Sequence, residues 1–353
     1  MDFTKTLTLL AAIEQTNPVT TFLRDRYFPS NANVDVFNTD EVIVEYRDGN
    51  KKIAPFVSPR KNGRVIMRDG YSIESYAPAN IAPKRPLYID DITKKGFGEA
   101  LFSNLTPEQR QGALIMKDIK DMTEMIKRRE EAMAAETMIN NGCVMKHYAD
   151  RGDEYEEKEI HFYSGDSNPA VYTPSMDWSN SQADILGDMY QMAYFLLKDG
   201  NAATEIVVGS NVVDAILNND AIYKQLDNRR YEVGKIEPVE LPNGVTRVAR
   251  LLVKGHPIDV LTYAATYEGE DGKDTPFIPA NKVVMSAPGA GHTSYGAVTQ
   301  LEQSDGQMHT YPGMLVPHYV ADANNNSRSI TLTSRPLLMP KTKNPWISAD
   351  VIS

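Results

Sequence analysis

The sequence has few of the features that mark secreted or membrane proteins. Its 353 residues include one cysteine, Cys143, so no disulfide can form within the chain and a reducing compartment is expected. No window approaches the ~18 consecutive apolar residues of a transmembrane helix. The apolar stretch from Leu7 to Ile13 lacks a preceding basic region and an A-x-A cleavage site, so we expect no signal peptide. These absences predict a protein that is made and used in a cytoplasm.

Positive charge is also scarce. The chain has 37 Lys and Arg residues against 47 Asp and Glu residues, with a net charge of −10 and a pI of about 5.2. General nucleic-acid binding depends on clustered Lys and Arg side chains, so this charge balance does not favour it. The hydrophobic fraction of 41% and the charged fraction of 24% are ordinary for a globular protein. The length predicts about two domains.

Residue patterns that bind metals or carry out catalysis are equally rare. The six histidines form neither an H-E-x-x-H motif nor a close pair. Cys143 and His147 supply two ligands at most, so we expect an exposed pair rather than a zinc site. The stretch GAGHTSYG, residues 289–296, follows a predicted strand but opens no helix, which favours a tight turn over a phosphate loop. We therefore predict no catalytic residue, no metal and no cofactor.

The strongest periodic pattern is a long helix over residues 106–141. Thr106 suits the N-cap position, and Gln109 three residues later completes a capping box. Apolar residues then recur at helical spacing as far as Met133, and Gly142 is a natural stop. Its charges exclude a membrane span and its heptads are interrupted, so we expect a scaffold helix that lies along a sheet. The acidic residues on this helix are expected to form a solvated face or ion pairs with its Lys and Arg residues.

Before this helix, residues 34–90 form a β-rich excursion. EVIVEYR alternates in polarity, and Asp48-Gly49 supplies a turn. The segment 57–86 holds four prolines and six basic residues against two acids. Three uses of this basic segment stay open, namely contact with nucleic acid, contact with the acidic surface of a neighbouring subunit, and a solvated loop.

The remaining chain divides into a short N-terminal part and an α/β-like unit. FLRDRYFP, residues 22–29, places four apolar or aromatic side chains as docking anchors. Residues 179–300 alternate helix and strand patterns, with a helix ending at Gly200 and a buried strand at EIVVGS. Residues 329–337 alternate and predict a strand that returns to the first unit.

Several stretches, taken in order, resemble the lambda E-type major capsid proteins of tailed bacteriophages. KKIAPFVSP and GRVIMRDGYSIESYAPANIAPKRPL resemble the arm of that family. ADILGDM, NNDAIYKQLDNRRYEVGKIEPVELPNGV and SAPGAGHTSYGAVTQ resemble its second domain, and SRSITLTSRPLLMP resembles its C-terminal strand. The resemblance runs from about residue 20 to residue 340, and residues 150–178 match least.

The resemblance implies an α+β chain with the tailed-phage major capsid protein fold. The implied parts are an N-terminal arm (1–33), an extended β-hairpin loop (34–90), a peripheral domain (91–178 and 311–353) with a long spine helix (106–141), and an axial α/β domain (179–310).

The resemblance also implies assembly instead of catalysis. The expected function is a major capsid protein that forms pentamers and hexamers of an icosahedral shell around packaged double-stranded DNA, without sequence-specific binding. We expect it in the virion, assembled in the bacterial host cytoplasm, with no membrane. The expected partners are further copies of itself and separate scaffold or protease, portal and decoration proteins, because no scaffolding domain precedes Met1. The alternatives are an encapsulin-like compartment shell and an α/β enzyme that uses residues 179–310.

Contacts between subunits are expected to join opposite charges. The predicted basic contacts lie on the extended loop, and they are Arg60, Lys61, Arg64 and Arg68. The predicted acidic contacts lie on the spine helix of a neighbour, and they are Asp118, Glu124 and Glu131. Some relatives seal the shell with a Lys–Asn isopeptide bond, but the lambda-type resemblance favours a separate decoration protein.

Overall fold

The computed structural model describes most of the chain in separate ranges. They are residues 21–31, 35–39, 41–46, 72–78, 80–93, 106–148, 155–163, 169–226, 234–235, 239–241, 244–269, 272–323, 325 and 327–353. The loop residues Arg60, Lys61, Arg64 and Arg68, and the predicted Asp48-Gly49 turn, lie outside these ranges.

The described chain is α+β, because its helices lie in the first two thirds of the sequence and a long run of strands follows them. The helices are α1 (Phe22–Tyr27), α2 (Ile89–Thr93), α3 (Pro107–Asn140), α4 (Ile185–Lys198), α5 (Ser210–Leu217) and α6 (Asp220–Leu226). The strands are β1 (Val42–Tyr46), β2 (Ser72–Tyr76), β3 (Lys84–Tyr88), β4 (Gly142–Tyr148), β5 (Tyr155–His161), β6 (Val171–Tyr172), β7 (Glu205–Val208), β8 (Gly234–Lys235), β9 (Val239–Leu241), β10 (Val245–Val253), β11 (His256–Tyr263), β12 (Thr266–Glu268), β13 (Asp274–Pro276), β14 (Lys282–Ser286), β15 (Gly291–Tyr295), β16 (Val298–Leu301), β17 (Met308–Tyr311), β18 (Val316–Asp322), β19 (Ser327–Thr333), β20 (Pro336–Pro340) and β21 (Ile347–Asp350).

The spine helix α3 has 34 residues and is about 51 Å long. The predicted capping box is confirmed, because the Thr106 hydroxyl accepts from Gln109 N–H at 3.3 Å and the Gln109 side chain accepts from Thr106 N–H at 3.0 Å. At the C-terminal end, the residue that takes the left-handed conformation is Asn141 and not the predicted Gly142. Asn141 adopts the left-handed conformation with φ of 52°, and Gly142 already belongs to β4.

The largest sheet has eight strands in the order β6-β21-β14-β7-β11-β10-β8, with β9 also paired to β10. It is mixed, since β7 runs parallel to β11 and β6 runs parallel to β21, while the other pairs are antiparallel. Strand β21 belongs to the segment 311–353, which the family resemblance implied to be part of the peripheral domain. Its Ile347 and Ala349 side chains are buried beside those of β14, so this strand completes the sheet of the 179–310 segment.

The two faces of this sheet cover different cores. On one face, α4 and α5 pack with Ile206, Val260 and Met285 in what we call the helix-side core. On the other face, Val207 and Leu261 meet α1, β20 and the C-terminal half of α3 in what we call the spine-side core. Because alternate residues of a strand point to opposite faces, β7 serves both cores.

A third core lies under the N-terminal half of the spine helix. Ile115, Ile119 and Met122 pack there against Ile330 and Leu332 of the three-stranded sheet β18-β19-β3. Strand β19 pairs with β3, which precedes the spine helix, so the predicted returning strand is present. The remaining pairs are β1-β2, β4-β5, β12-β13, β15-β20 and β16-β17. The stretch GAGHTSYG enters β15, a strand paired with β20.

Candidate assembly site

The described base of the extended loop is a two-stranded antiparallel ribbon. Strands β1 and β2 pair from Val42 opposite Tyr76 to Tyr46 opposite Ser72. Val42 and Tyr76 are buried in the spine-side core, which anchors the ribbon to the body. On the ribbon, Ile43 is 66% exposed and Ile73 is 56% exposed. Isolated two-stranded ribbons are marginally stable in water, so an exposed apolar surface here suits contact with another protein surface.

Asp118, a predicted intersubunit contact, has a partner within its own chain. Arg85 on β3 donates to Asp118 at 2.9 Å, and the same guanidinium lies 3.4 Å from Asp121. Partial burial raises the pKa of Asp118, and Arg85 opposes that shift. The sequence predicted ion pairs along the helix itself, whereas this pair joins the helix to β3, the strand at the end of the basic segment.

Glu124 forms the ion pair that helical spacing predicts. Arg128 donates to it at 3.3 Å, one turn along the helix. The Arg128 side chain is largely exposed and that of Glu124 partly so, hence this face of the helix remains accessible. Near it, Ile81, Pro83, Met125, Arg129 and Tyr267 line a groove of about 490 Å³ beside the spine helix.

Glu131 lies on a different face of the helix and is fully buried. Its carboxylate accepts hydrogen bonds from the backbone N–H groups of Leu23 at 2.7 Å and Arg24 at 2.9 Å, and from the hydroxyl of Tyr263. The prediction that it contacts a neighbouring subunit therefore needs correction, because the donors of its own chain occupy the carboxylate. Burial raises the pKa of Glu131, and these hydrogen bonds partly offset the shift.

The N-terminal clamp, residues 21–31, supplies these donors. The sequence placed this segment in an arm, yet Leu23, Tyr27 and Phe28 are buried in the spine-side core, where they act as the anchors that FLRDRYFP predicted. The Arg24 guanidinium lies 3.1 Å from Glu130, which is also buried. Burial raises the pKa of Glu130, and Arg24 opposes the shift.

The clamp also binds the large sheet through Glu205, the first residue of β7. Arg26 donates two hydrogen bonds to this buried carboxylate, one at 2.7 Å, and the hydroxyl of Tyr27 donates a third at 2.9 Å. Sequence reasoning did not single out Arg26, Glu205 or Glu130. The only available signal was a charged residue at the start of an otherwise apolar strand, EIVV.

The described ranges contain no group of three or more His, Cys, Asp or Glu side chains that could hold a metal ion. They also contain no helix that is long and apolar enough to cross a membrane. What they present is exposed apolar side chains distributed over several elements, and the most exposed are Ile43, Tyr223 and Met308.

Comparison with known proteins tests the functions that the sequence suggested. Residues 5–351 match the family model of the phage major capsid protein E. This chain belongs to that family. The lambda E-type resemblance is therefore confirmed, and the family is one of structural proteins that form phage heads.

Individual proteins that are similar to this chain are also phage major capsid proteins. The major capsid protein of Enterobacteria phage P21 is 24% identical over 350 residues, which cover 97% of each chain. The major capsid protein of Escherichia phage lambda is 24% identical over 266 residues, 74% of this chain and 75% of the lambda protein.

Solved structures match over nearly the whole length. A capsid protein of an Escherichia coli CFT073 prophage has a TM-score of 0.63 at 16% identity, with 99% of both chains covered. A phage-related protein of Bordetella bronchiseptica RB50 has a TM-score of 0.50 at 9% identity, covering 98% of this chain and 96% of that one. At these identities the likeness shows the fold alone, and that fold is the phage capsid fold in its α+β form.

Proposed function

We propose that this protein is the major capsid protein of a tailed bacteriophage and that its copies assemble into the pentamers and hexamers of an icosahedral head. The observation that carries the proposal is the family match over residues 5–351, together with a TM-score of 0.63 to a prophage capsid protein. Each contact in a closed shell can be weak, because the shell repeats it many times. The expected partners are other copies of the chain.

The further partners extend this proposal. The head would enclose double-stranded DNA without reading its sequence, and the net charge of −10 suits a wall that confines DNA without binding it tightly. Separate scaffold or protease, portal and decoration proteins would complete the head in the host cytoplasm. The protein would have no enzymatic activity of its own.

Electron microscopy tests the proposal directly. The protein would be expressed alone and with its neighbouring genes, and negatively stained. Uniform polyhedral shells or capsomer rings are the expected result. A monodisperse monomer under both conditions would contradict the proposal. A cargo enzyme gene next to this one, instead of terminase and portal genes, would favour an encapsulin-like compartment.

The basic loop residues are proposed to hold neighbouring subunits together. Arg60, Lys61, Arg64 and Arg68 would contact an acidic surface of the next subunit, with Asp118 and Glu124 on its spine helix as candidate partners. The exposed Arg128–Glu124 pair supports this, since an exposed pair exchanges partners at little cost. Glu131 no longer belongs to this set.

A matched pair of variants tests the loop contacts. Replacing the four loop cations by Gln is expected to prevent shell formation while the subunit stays folded. The control replaces four exposed lysines elsewhere by Gln, namely Lys158, Lys198, Lys254 and Lys273. Both variants change the net charge equally, so assembly that fails in both would indicate a general charge effect. Assembly that is normal in the loop variant would contradict the assignment.

A further inference from the structure

The N-terminal clamp contains a helix that is too short to be stable by itself. Helix α1 has six residues, and isolated helices shorter than about 12 residues are marginal in water. Its N-cap residue, Thr21, makes no side-chain capping hydrogen bond. The helix therefore depends on groups from other parts of the chain.

One such group is Glu131 of the spine helix. The N–H groups of Leu23 and Arg24 belong to the first turn of α1, which has no carbonyl partners within the helix. Glu131 binds both groups with its two oxygens, so it performs the task that Thr21 leaves undone. The helix dipole strengthens this contact, because the negative carboxylate of Glu131 lies at the positive N-terminal end of α1.

The other group is Glu205 of the large sheet, at the opposite end of α1. Arg26 and Tyr27 form the last turn of the helix, and both donate to the Glu205 carboxylate. A guanidinium that donates two parallel hydrogen bonds to one carboxylate both stabilises the contact and fixes the orientation of the two side chains. Beyond α1, Thr293 of β15 donates to the carbonyl of Phe28 at 2.9 Å, which secures the next part of the clamp.

We propose that residues 21–31 act as a conformational clamp that sets the position of the spine helix over the large sheet. One buried carboxylate of each element holds one end of α1. If the clamp withdrew, Glu205 would lose its hydrogen bonds from Arg26 and Tyr27, and Glu131 would lose both of its backbone donors while it kept the hydroxyl of Tyr263. Leaving buried carboxylates with fewer donors is strongly unfavourable. The clamp is therefore either fully inserted or fully withdrawn, and the subunit has one defined shape when it is inserted.

The consequence for shells rests on the proposed function. Identical capsomers require subunits of one shape, so a clamp that fixes the spine helix would keep shell diameters uniform. A loosened clamp would yield folded subunits whose spine helix is less restrained and whose shells vary in size.

Hydrogen exchange followed by mass spectrometry tests the clamp in the full-length chain. Glu131→Gln keeps the shape of the side chain but replaces one acceptor oxygen by an amide that donates. The expected result is exchange at least about tenfold faster in peptides covering residues 21–28 and in the C-terminal half of the spine helix. Peptides of the helix-side core, such as those covering α4, should keep the wild-type rate. Glu108→Gln is the control, because it removes an exposed carboxylate from the other end of the same helix.

A double-mutant cycle tests the second attachment. Arg26→Gln and Glu205→Gln should each speed exchange in the clamp, and the double variant should be no faster than the faster single variant. Additive effects would contradict a direct contact between the two side chains. Faster exchange confined to the clamp, with the spine helix unchanged, would overturn the proposal. The clamp would then be attached to the spine helix without restraining it.

Shell diameters distinguish failure of the clamp from failure of the proposed function. Wild-type shells of one size and Glu131→Gln shells of several sizes are expected. Uniform shells from both would overturn the role in shape. If the wild type formed no shells while the exchange rates followed the expected pattern, the clamp would stand and the proposed function would fail.

Discussion

Arg85 donates a hydrogen bond to Asp118 across 2.9 Å, and this pair joins strand β3 to the spine helix. Arg85 counts among the six cations of the basic segment 57–86, so at least one of those charges is used inside the subunit. The cations of this basic segment therefore have two different roles. Arg85 forms an ion pair within its own subunit, and the cations nearer the middle of the loop are the ones proposed to reach a neighbour.

The Arg85–Asp118 pair is expected to contribute little to stability. The Arg85 side chain is 41% exposed, and such pairs contribute roughly 0.2–1 kcal/mol because solvent screens them. Asp118→Asn should lower the free energy of unfolding in urea by less than about 1 kcal/mol. Shell formation should be weakened at this nearly normal stability, because Asp118 is also a candidate partner for the loop cations of a neighbouring subunit. Normal shells from Asp118→Asn would restrict Asp118 to its pair with Arg85 within one subunit.

The buried carboxylate of Glu131 predicts a pH dependence. Its pKa is raised in the folded chain, chiefly by burial, so the native state holds the proton more tightly than the unfolded state. The stability that this group contributes is complete below the unfolded pKa, about 4.3, and is lost as the pH rises through the folded pKa. The free energy of unfolding of the wild type should therefore fall over this window relative to Glu131→Gln, which does not titrate.

Urea titrations at closely spaced pH values measure this difference. The informative quantity is the wild-type value minus the Glu131→Gln value, because all other titrating groups are common to both chains. A difference that rises with pH over the same window would show that the hydrogen bonds from Leu23 and Arg24 outweigh burial, and that the pKa of Glu131 is lowered.

Cys143 is expected to be unreactive while the chain is folded. Burial raises the pKa of its thiol to about 12, with Glu136 nearby adding to the shift. Only the thiolate attacks disulfide reagents, and a free cysteine has a pKa of about 8.5. The thiolate fraction at neutral pH should be lower by at least about a thousandfold than in a free cysteine. A coloured disulfide reagent should label Cys143 only after denaturation, and rapid labelling of the native chain would contradict its burial.

The features that were predictable from the sequence are those fixed by neighbouring residues. The capping box needs only Thr106 and Gln109, which are three positions apart, and apolar spacing alone located the spine helix. Strand β7 was predictable for the same reason, because EIVV is short, apolar and bounded by turn residues. In each case the local pattern and the tertiary environment favour the same structure.

The clamp was not predictable because its contacts join distant parts of the chain. Leu23 and Glu131 are separated by 108 positions, and a glutamate on a charged helix has the same local pattern whether it faces solvent or a core. The pairing of β21 with β14 also joins distant parts of the chain, and the resemblance, which placed residues 311–353 in the peripheral domain, did not predict it. The family resemblance supplied the architecture but not these side-chain partners.

Asp188 in α4 is expected to be important for the helix-side core. It is buried, and it accepts from the indole N–H of Trp178 at 2.8 Å and from the hydroxyl of Tyr172 at 2.6 Å. Asp188→Ala would leave a buried indole N–H without its acceptor, which costs about 1–3 kcal/mol. Urea unfolding followed by tryptophan fluorescence should show this loss. Asp214→Ala, at an exposed position in α5, should change stability by less than about 0.5 kcal/mol, and equal effects of the two variants would contradict the role of Asp188.

Two adjacent residues at the C-terminal end of the spine helix differ in what a substitution would disturb. For Asn141 it is the backbone conformation, and for Gly142 it is the space beside the backbone. Asn141 has φ of 52°, a conformation that glycine also adopts, and its amide donates to the carbonyl of Phe162 at 2.8 Å. Asn141→Gly should therefore keep the backbone conformation and lose that hydrogen bond, at a cost of about 1 kcal/mol. Gly142 has an ordinary φ, but a Cβ there would collide with the backbone carbonyl of Ile160 on β5.

Gly142→Ala is therefore expected to be the more damaging change, although glycine-to-alanine substitutions stabilise chains elsewhere. The added methyl group would push β5 away from β4 at the start of their pairing, so we expect a loss of about 3 kcal/mol or more. Equilibrium unfolding of both variants in urea gives the comparison. If Asn141→Gly proved the more destabilising of the two, the Asn141 side chain would contribute more than its hydrogen bond to Phe162, and β4 and β5 would accommodate a methyl group beside Ile160.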